Sequence, residues 1–272
     1  MSFTWPTLVV TRPQPQADAW VERLVALGCP AVALPLLVIE PQAAFVPAVS
    51  QAWLSLAEHR LVMFVSPNAA LQFFAQAPSG QRWPMTTWAA ATGPGTVAAL
   101  REQGLDAAQI LSPSPDADQF DAETLWQQRL ADRDWRGQKV LIVRGEDGRD
   151  WLASTLREAG AQVDLLAAYR RVGPAWDATS LSLLSRIEAA PAQHAWQFSS
   201  SEAVRHLAAW IAAQPMPHPG LLQAPALATH PRIAETARAC GWTRVLDVTP
   251  DASQMLACLR AWVEGPRASS PA

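Results

Sequence analysis

The chain has 272 residues, half of them hydrophobic and 17% charged, with 21 Lys plus Arg against 24 Asp plus Glu and a net charge of −3. At about 150 residues per domain this length predicts two domains, and the composition excludes long intrinsic disorder and a net positive surface for nucleic-acid phosphates. No apolar run reaches the roughly 18 residues that span a bilayer; the stretch from Ala31 to Ile39 is interrupted by Pro35.

The segment from Met1 to Pro6 lacks a basic start and an apolar core, so no secretory signal is read there and a cytoplasmic location is expected. The first strand candidate is Thr7 to Val10. The segment Ala17 to Leu27 then places Trp20, Val21, Leu24, Val25 and Leu27 on one helical face, and Gly28 ends it. Further strand candidates are Ala31 to Leu34, Leu61 to Val65, Trp88 to Ala91, Gln109 to Leu111, Val140 to Val143, Val163 to Leu166, Ala195 to Phe198, Ala226 to Ala228 and Arg244 to Val248. Helical-period segments fill most of the gaps, a rhythm that predicts parallel α/β layers.

Three blocks recur in order. Leu8 to Pro35 reappears as Leu141 to Ala168, with Gly160 in place of Gly28. Val62 to Ala75 reappears as Ala195 to Ala208. Ala91 to Leu105, with Gly104 after its helix, reappears as Ala228 to Trp242, with Gly241. This internal duplication predicts two similar flavodoxin-like or Rossmann-like parallel-sheet domains of five strands each. Residues 265 to 272 read as a frayed tail.

In such sheets ligands sit beyond the carboxyl ends of the strands. The segments expected there contain Thr11-Arg12-Pro13, Ser66-Pro67-Asn68, Thr92-Gly93-Pro94-Gly95-Thr96, Arg144-Gly145, Ser199-Ser200-Ser201 and Thr229-His230-Pro231. Each is ordinary helix-capping chemistry, which suffices for any one of them. Together, several helix N-termini facing one way form an anion-binding surface without net positive charge.

The glycine-rich segment Gly93-Pro94-Gly95 lacks the third glycine of a nucleotide loop, and no Walker loop, H-E-x-x-H or G-x-S-x-G motif occurs. No cofactor is implied. The five histidines show no paired ligand spacing, so no metal site is expected. Cys29, Cys240 and Cys258 are odd in number and widely spaced, and read as reduced thiols. Among 13 Trp and 7 Phe there is one tyrosine, Tyr169. Its plain reading is an edge residue with packed ring and wet hydroxyl; its chemical reading is an uncharged hydrogen-bond donor.

The ordered set Val9-Val10-Thr11-Arg12-Pro13, Leu34-Pro35-Leu36, Val65-Ser66-Pro67-Asn68-Ala69, Thr92-Gly93-Pro94-Gly95-Thr96, Leu141-Ile142-Val143-Arg144-Gly145, the Tyr169 segment, Phe198-Ser199-Ser200 and Thr229-His230-Pro231 resembles the uroporphyrinogen-III synthases from about Leu8 to Val263. It departs from the family pattern at Thr229-His230-Pro231, where the first repeat carries Gly-Pro. The resemblance implies two domains joined by a two-stranded linker: residues 1–36 with 172–264, and residues 37–171. It implies cyclisation of the linear tetrapyrrole hydroxymethylbilane with loss of water and inversion of its last ring, without cofactor or metal, by a monomer. Tyr169 would be the catalytic donor. Thr11, Arg12, Ser66, Asn68, Gly93, Thr96, Arg144, Gly145, Ser199, Ser200, Thr229 and His230 would hold the substrate. The rival is a cytosolic two-domain protein that closes on an acidic ligand without chemistry. A nucleotide-sugar transferase would need an acidic metal pair or a phosphate-clamping basic cluster, and neither is visible in the sequence.

Overall fold

The structure is a computed structural model and describes residues 5 to 264; the tail expected to fray, 265 to 272, lies outside the described residues. In chain order the strands are β1 (Thr7–Val10), β2 (Ala31–Ala33), β3 (Val38–Glu40), β4 (Leu61–Phe64), β5 (Trp88–Ala91), β6 (Ile110–Leu111), β7 (Lys139–Gly145), β8 (Gln162–Val172), β9 (His194–Phe198), β10 (Ala226–Ala228) and β11 (Val245–Asp247). The α-helices are α1 (Gln16–Ala26), α2 (Val46–Leu54), α3 (Pro67–Phe74), α4 (Pro94–Glu102), α5 (Ala122–Leu125), α6 (Trp151–Glu158), α7 (Ala178–Ala189), α8 (Ser201–Ala212), α9 (Pro219–Gln223), α10 (Pro231–Ala239) and α11 (Ala252–Glu264).

The chain divides into two compact units, one of residues up to Val38 with those from Val172 onward, the other Ile39–Arg171. The first holds a sheet ordered β11-β10-β9-β1-β2, the second a sheet ordered β3-β8-β7-β4-β5-β6. Strands β10, β9, β1 and β2 correspond in order to β5, β4, β7 and β8, and the pairings joining each set are parallel. The repeated blocks of sequence therefore occupy equivalent places. What differs is chain order, since the β4–β5 half precedes β7–β8 in one unit and the β1–β2 half precedes β9–β10 in the other.

The second sheet has six strands where the duplication predicts five. Strand β8 runs on to Val172 instead of ending at Leu166, and β3 pairs along it. An extended edge of unpaired N–H and C=O groups is satisfied by the nearest extended segment, here the outgoing connection itself. The chain thus leaves the first unit within β3 and returns within β8, on neighbouring strands.

Four helices end in the same way, and these ends are the landmarks of the repeat. After α1, α4, α6 and α10 come Gly28, Gly104, Gly160 and Gly241, with φ of +80, +89, +94 and +104°. Left-handed φ is cheap only for glycine. In each case the following residue donates its N–H back five residues: Cys29 to Leu24 at 3.0 Å, Leu105 to Leu100 at 3.2 Å, Ala161 to Leu156 at 3.0 Å and Trp242 to Ala237 at 3.0 Å. This is the Schellman stop, and the residue after each glycine is buried together with its partner, the apolar contact that accompanies the motif.

Alternation along the strands sends side chains to both faces of each sheet. In the first unit Val9, Trp196, Phe198 and Ala228 pack under α7, α8 and α10, while Leu8, Val10, Ala195 and Leu227 pack under α1 and α11. In the second, Val62, Phe64, Leu141 and Val143 face α3 and α4, and Leu61, Met63, Val140 and Ile142 face α6. The buried indoles of Trp53, Trp135 and Trp196 donate to the carbonyls of Phe73, Leu130 and Leu221 at 2.8–2.9 Å.

Gln197 and the Trp242 indole nitrogen are exceptions within this interior, buried without a partner among the described residues. Gln197 lies on β9 beside Val10, fully buried, and neither Oε1 nor Nε2 has a partner among the described residues. An unpaired buried amide costs about 1–3 kcal/mol. Gln197→Met, of similar shape, is therefore expected to raise the free energy of unfolding by about 1–3 kcal/mol, seen as a higher urea midpoint at unchanged m-value. A lower midpoint would show that the carboxamide is paired by something enclosed.

Candidate active site

The carboxyl ends of adjacent strands bring the expected segments together within each unit. In Ile39–Arg171 these are Ser66 after β4, Gly93 after β5, Arg144 and Gly145 at the end of β7, and Tyr169 on β8. In the other unit they are Thr11 and Arg12 after β1, Ser199 and Ser200 after β9, and Thr229 and His230 after β10.

Tyr169 is placed by a bulge. Strands β7 and β8 pair in register up to Arg144 opposite Ala167, and the next pair is Gly145 opposite Tyr169. The skipped residue breaks the alternation, so Ala168 and Tyr169 both enter the core cluster that contains Phe64 and Val143. The ring is 2% exposed, which overturns the plain reading of an edge tyrosine with a wet hydroxyl. Its Oη lies 3.0 Å from Ser66 Oγ. A Cβ on Gly145 would lie 3.2 Å from Tyr169 Cε2 and 3.3 Å from Cζ, so only glycine admits the ring without displacing it. Tyr169 also accepts at its carbonyl from the Glu146 N–H at 2.9 Å.

Ser66 is the half-buried N-cap of α3, and its Oγ accepts from the Ala69 N–H at 3.2 Å. Tyr169 thus reaches the positive end of a helix through one hydroxyl. A proton passed from Oη to Ser66 Oγ leaves charge on an oxygen near that helix end, where negative charge is favoured. Asn68, half-buried, stands in the first turn of the same helix.

Other expected residues have structural duties. Gly93 N-caps α4 with extended backbone, and a Cβ there would meet Phe120 Cβ at 3.2 Å. Thr96, expected at the strand-end surface, is 3% exposed on the buried side of α4, and its N–H donates to the Gly93 carbonyl at 3.1 Å. Arg144 is 8% exposed and ion-paired to Asp150. Thr11 is 1% exposed and stitches β1 to β9, donating through Oγ1 to the Gln197 carbonyl at 2.8 Å. Ser200 caps α8, accepting from Glu202 and Ala203. Ser199 and Thr229 are half-buried at the strand ends. His230, the departure from the family pattern, caps α10 in place of a hydroxyl, with Nδ1 accepting from the Arg232 N–H at 3.2 Å.

Arg12 is different. Its guanidinium lies 4.4 Å from the Trp20 ring centre, with Arg23 at 5.9 Å from the same ring. Its Nε is buried with no partner among the described residues. Burial, then the charge of Arg23, pull its pKa down to about 10. The indole fixes its orientation and the missing hydration leaves it short of an anion.

Ser66→Ala removes both the helix cap and the tyrosine's partner, an expected cost of about 1–2 kcal/mol. Tyr169→Phe leaves Ser66 able to bond water and should cost about 0.5–1 kcal/mol. Thermal unfolding of the two variants checks the order; equal losses would mean the Ser66 cap carries no stability of its own.

Fold and strand-end chemistry together define a duplicated flavodoxin-like α/β protein whose helix N-termini, serines and one buried tyrosine gather at the carboxyl edges of its sheets. Residues 18–257 match the family model described as Uroporphyrinogen-III synthase HemD. The uroporphyrinogen-III synthase of Salmonella typhimurium LT2 is 32% identical over 177 residues, 63% of this chain and 67% of that protein. That of Escherichia coli K12 is 31% identical over 178 residues, with the same shares covered. A mutant uroporphyrinogen III synthase from the extremely thermophilic bacterium Thermus thermophilus superposes with a TM-score of 0.58 at 17% identity, over 95% of this chain and 99% of that one. The Helicobacter pylori 26695 uroporphyrinogen-III synthetase gives 0.53 at 13% identity, over 93% and 97%. The chain belongs to the uroporphyrinogen-III synthase family: it is a lyase of tetrapyrrole biosynthesis that binds a small-molecule substrate. Among the described residues no helix is long and apolar enough to cross a membrane.

Proposed function

We propose that this chain cyclises hydroxymethylbilane to uroporphyrinogen III, and that Tyr169 with Ser66 supplies the proton for the departing hydroxyl. The observation that carries this assignment is the 3.0 Å contact between Tyr169 Oη and Ser66 Oγ at the N-terminus of α3. In this reading the nitrogen of the terminal pyrrole pushes electrons toward the hydroxymethyl carbon. The C–O bond breaks, and the hydroxide leaves as water after taking a proton delivered through the hydroxyl pair. The substituted carbon of the last ring then attacks the cationic carbon to give a spiro intermediate. The bond from the spiro carbon to the methylene of the preceding ring then breaks, and the cationic methylene so formed bonds to the free α-carbon on the other side of the ring nitrogen, which loses its proton and leaves the ring inverted. No covalent nucleophile is needed; the protein holds the flexible chain in the closing geometry.

Arg12 receives one substrate carboxylate in this reading, because it is the desolvated arginine without a described partner, whereas Arg144 is paired to Asp150. The half-buried Ser66, Asn68, Ser199 and Thr229, with the helix N-termini of α3, α8 and α10, receive others, partly through backbone N–H groups. We further infer a monomer in the cytoplasm, where its free Cys29, Cys240 and Cys258 stay reduced.

Incubation with enzymically generated hydroxymethylbilane and separation of the isomers tests the reaction. The expected product is the type III isomer, against the type I isomer of spontaneous closure; an unchanged mixture overturns the proposal. Tyr169→Phe should lower kcat by about 100-fold, the low end for general-acid catalysis, since the pyrrole supplies the electron push. Arg12→Met keeps bulk against Trp20 and should raise KM about tenfold with kcat little changed, the pattern of lost uniform binding. Turnover untouched by Tyr169→Phe would remove that residue from the mechanism.

A further inference from the structure

At the opposite end of the six-stranded sheet from Tyr169, where β4, β5 and β7 begin, lies a cavity of about 430 Å³ walled by Arg60, Trp88, Arg133, Asp134 and Trp135. The backbone holds Arg60 between two strands: its N–H donates to the Lys139 carbonyl at 2.8 Å, and its carbonyl accepts from the Trp88 N–H at 3.1 Å. Arg133 comes from the turn that follows a π-helical stretch, Trp126–Leu130. Its Nε donates to the Arg129 carbonyl at 2.8 Å, and its guanidinium carbon stands 5.2 Å from the centre of the Trp88 ring. The turn is pinned by Trp135, whose indole N–H donates to the Leu130 carbonyl at 2.8 Å.

The charges here do not balance. The carboxylate on the cavity wall, Asp134, is already occupied by Arg136, through Nε and Nη2 at 2.9 Å and the backbone N–H at 3.1 Å, which hold its pKa down to about 2. Among the described residues no carboxylate forms an ion pair with Arg60, Arg129 or Arg133. Burial, followed by the charges of Arg60 and Arg129, lowers the pKa of Arg133. Like charges drawn together without a counter-ion cost free energy that a bound anion recovers.

We propose that this cavity is an anion site separate from the cyclisation site, taking the phosphate group of a small metabolite between Arg60 and Arg133. The two guanidiniums favour a dianion with several acceptor oxygens over a single carboxylate. Recognition is by charge, because Trp88 serves Arg133 and Trp135 is buried, so neither ring is free to stack on a ligand. The volume is within the usual range for small-molecule sites.

Calorimetric titration of the full chain at low salt, with inorganic pyrophosphate and separately with glycerol 1-phosphate, tests this without requiring turnover. Saturable binding of pyrophosphate is expected, weakened about tenfold or more in the Arg60→Gln, Arg133→Gln double variant, as for loss of a charge-assisted hydrogen bond. Arg12→Gln should leave unchanged the binding component that the double variant weakens. Binding of glycerol 1-phosphate as well assigns the site to phosphate esters; its rejection assigns the site to free phosphates. The proposal is overturned if the wild type shows no saturable binding at millimolar ligand, if the double variant binds equally, or if Arg12→Gln abolishes binding. Should the double variant fail to fold, the exposed Arg60→Gln alone carries the same comparison.

Discussion

Parallel pairing imposes one demand on this molecule: after each strand the chain must cross back to the starting end before it can add the next. A crossover helix that overran would misplace the following strand. The four glycine stops after α1, α4, α6 and α10 set that length, each closing with the same backbone bond into the core. The functional geometry follows from it. With the strands parallel, the carboxyl ends in each sheet fall on one edge, and the helix N-termini that follow β1, β4, β5, β9 and β10 gather there, capped by Ser66, Gly93, Ser200 and His230.

On that edge the two repeats have diverged in charge and bulk. Arg12 and Gly145 hold equivalent places in the duplicated blocks, as do Thr11 and Arg144. In one unit this position carries a guanidinium braced on Trp20, its Nε without a partner among the described residues; in the other it is emptied to admit the Tyr169 ring. One copy is thereby shaped to attract charge and the other to present a hydroxyl. The ring's burial gives the phenol a fixed direction, which a surface tyrosine would lack, at the cost of reaching its surroundings through Ser66.

The sequence made the duplication, most strand positions and the capping residues legible because each is a local pattern: an apolar period, a glycine at a helix end, a serine before a proline. What escaped depends on encounters between distant segments. Nothing around Tyr169 signals the bulge opposite Arg144 and Gly145, which is a mismatch between two strands and belongs to neither alone. Thr96 resembled a surface cap until the packing of α4 turned it inward. Strand β3 was absent from the residue pattern, because Val38 to Glu40 is extended by virtue of β8 beside it, and only the family resemblance implied a linker strand there. Arg60, Arg129 and Arg133, unremarkable in a chain of net negative charge, become a cluster only when a strand start and a helical turn meet; an encounter of the same kind leaves Gln197 without a partner among the described residues.

Because β1 pairs with β9, with Thr11 donating to Gln197 across 186 residues of chain, the order of biosynthesis matters. At about 5–20 residues per second, the opening β1–α1–β2 segment waits roughly 10–40 s after emerging from the ribosome before its central neighbour exists. The contiguous unit Ile39–Arg171 has all its strands by then. During that interval the early segment carries an unsatisfied edge on β1, of the kind that recruits stray strands. The interleaved layout therefore makes the β1–α1–β2 segment wait for a neighbour synthesised much later, a liability for chaperones to manage rather than for the finished enzyme.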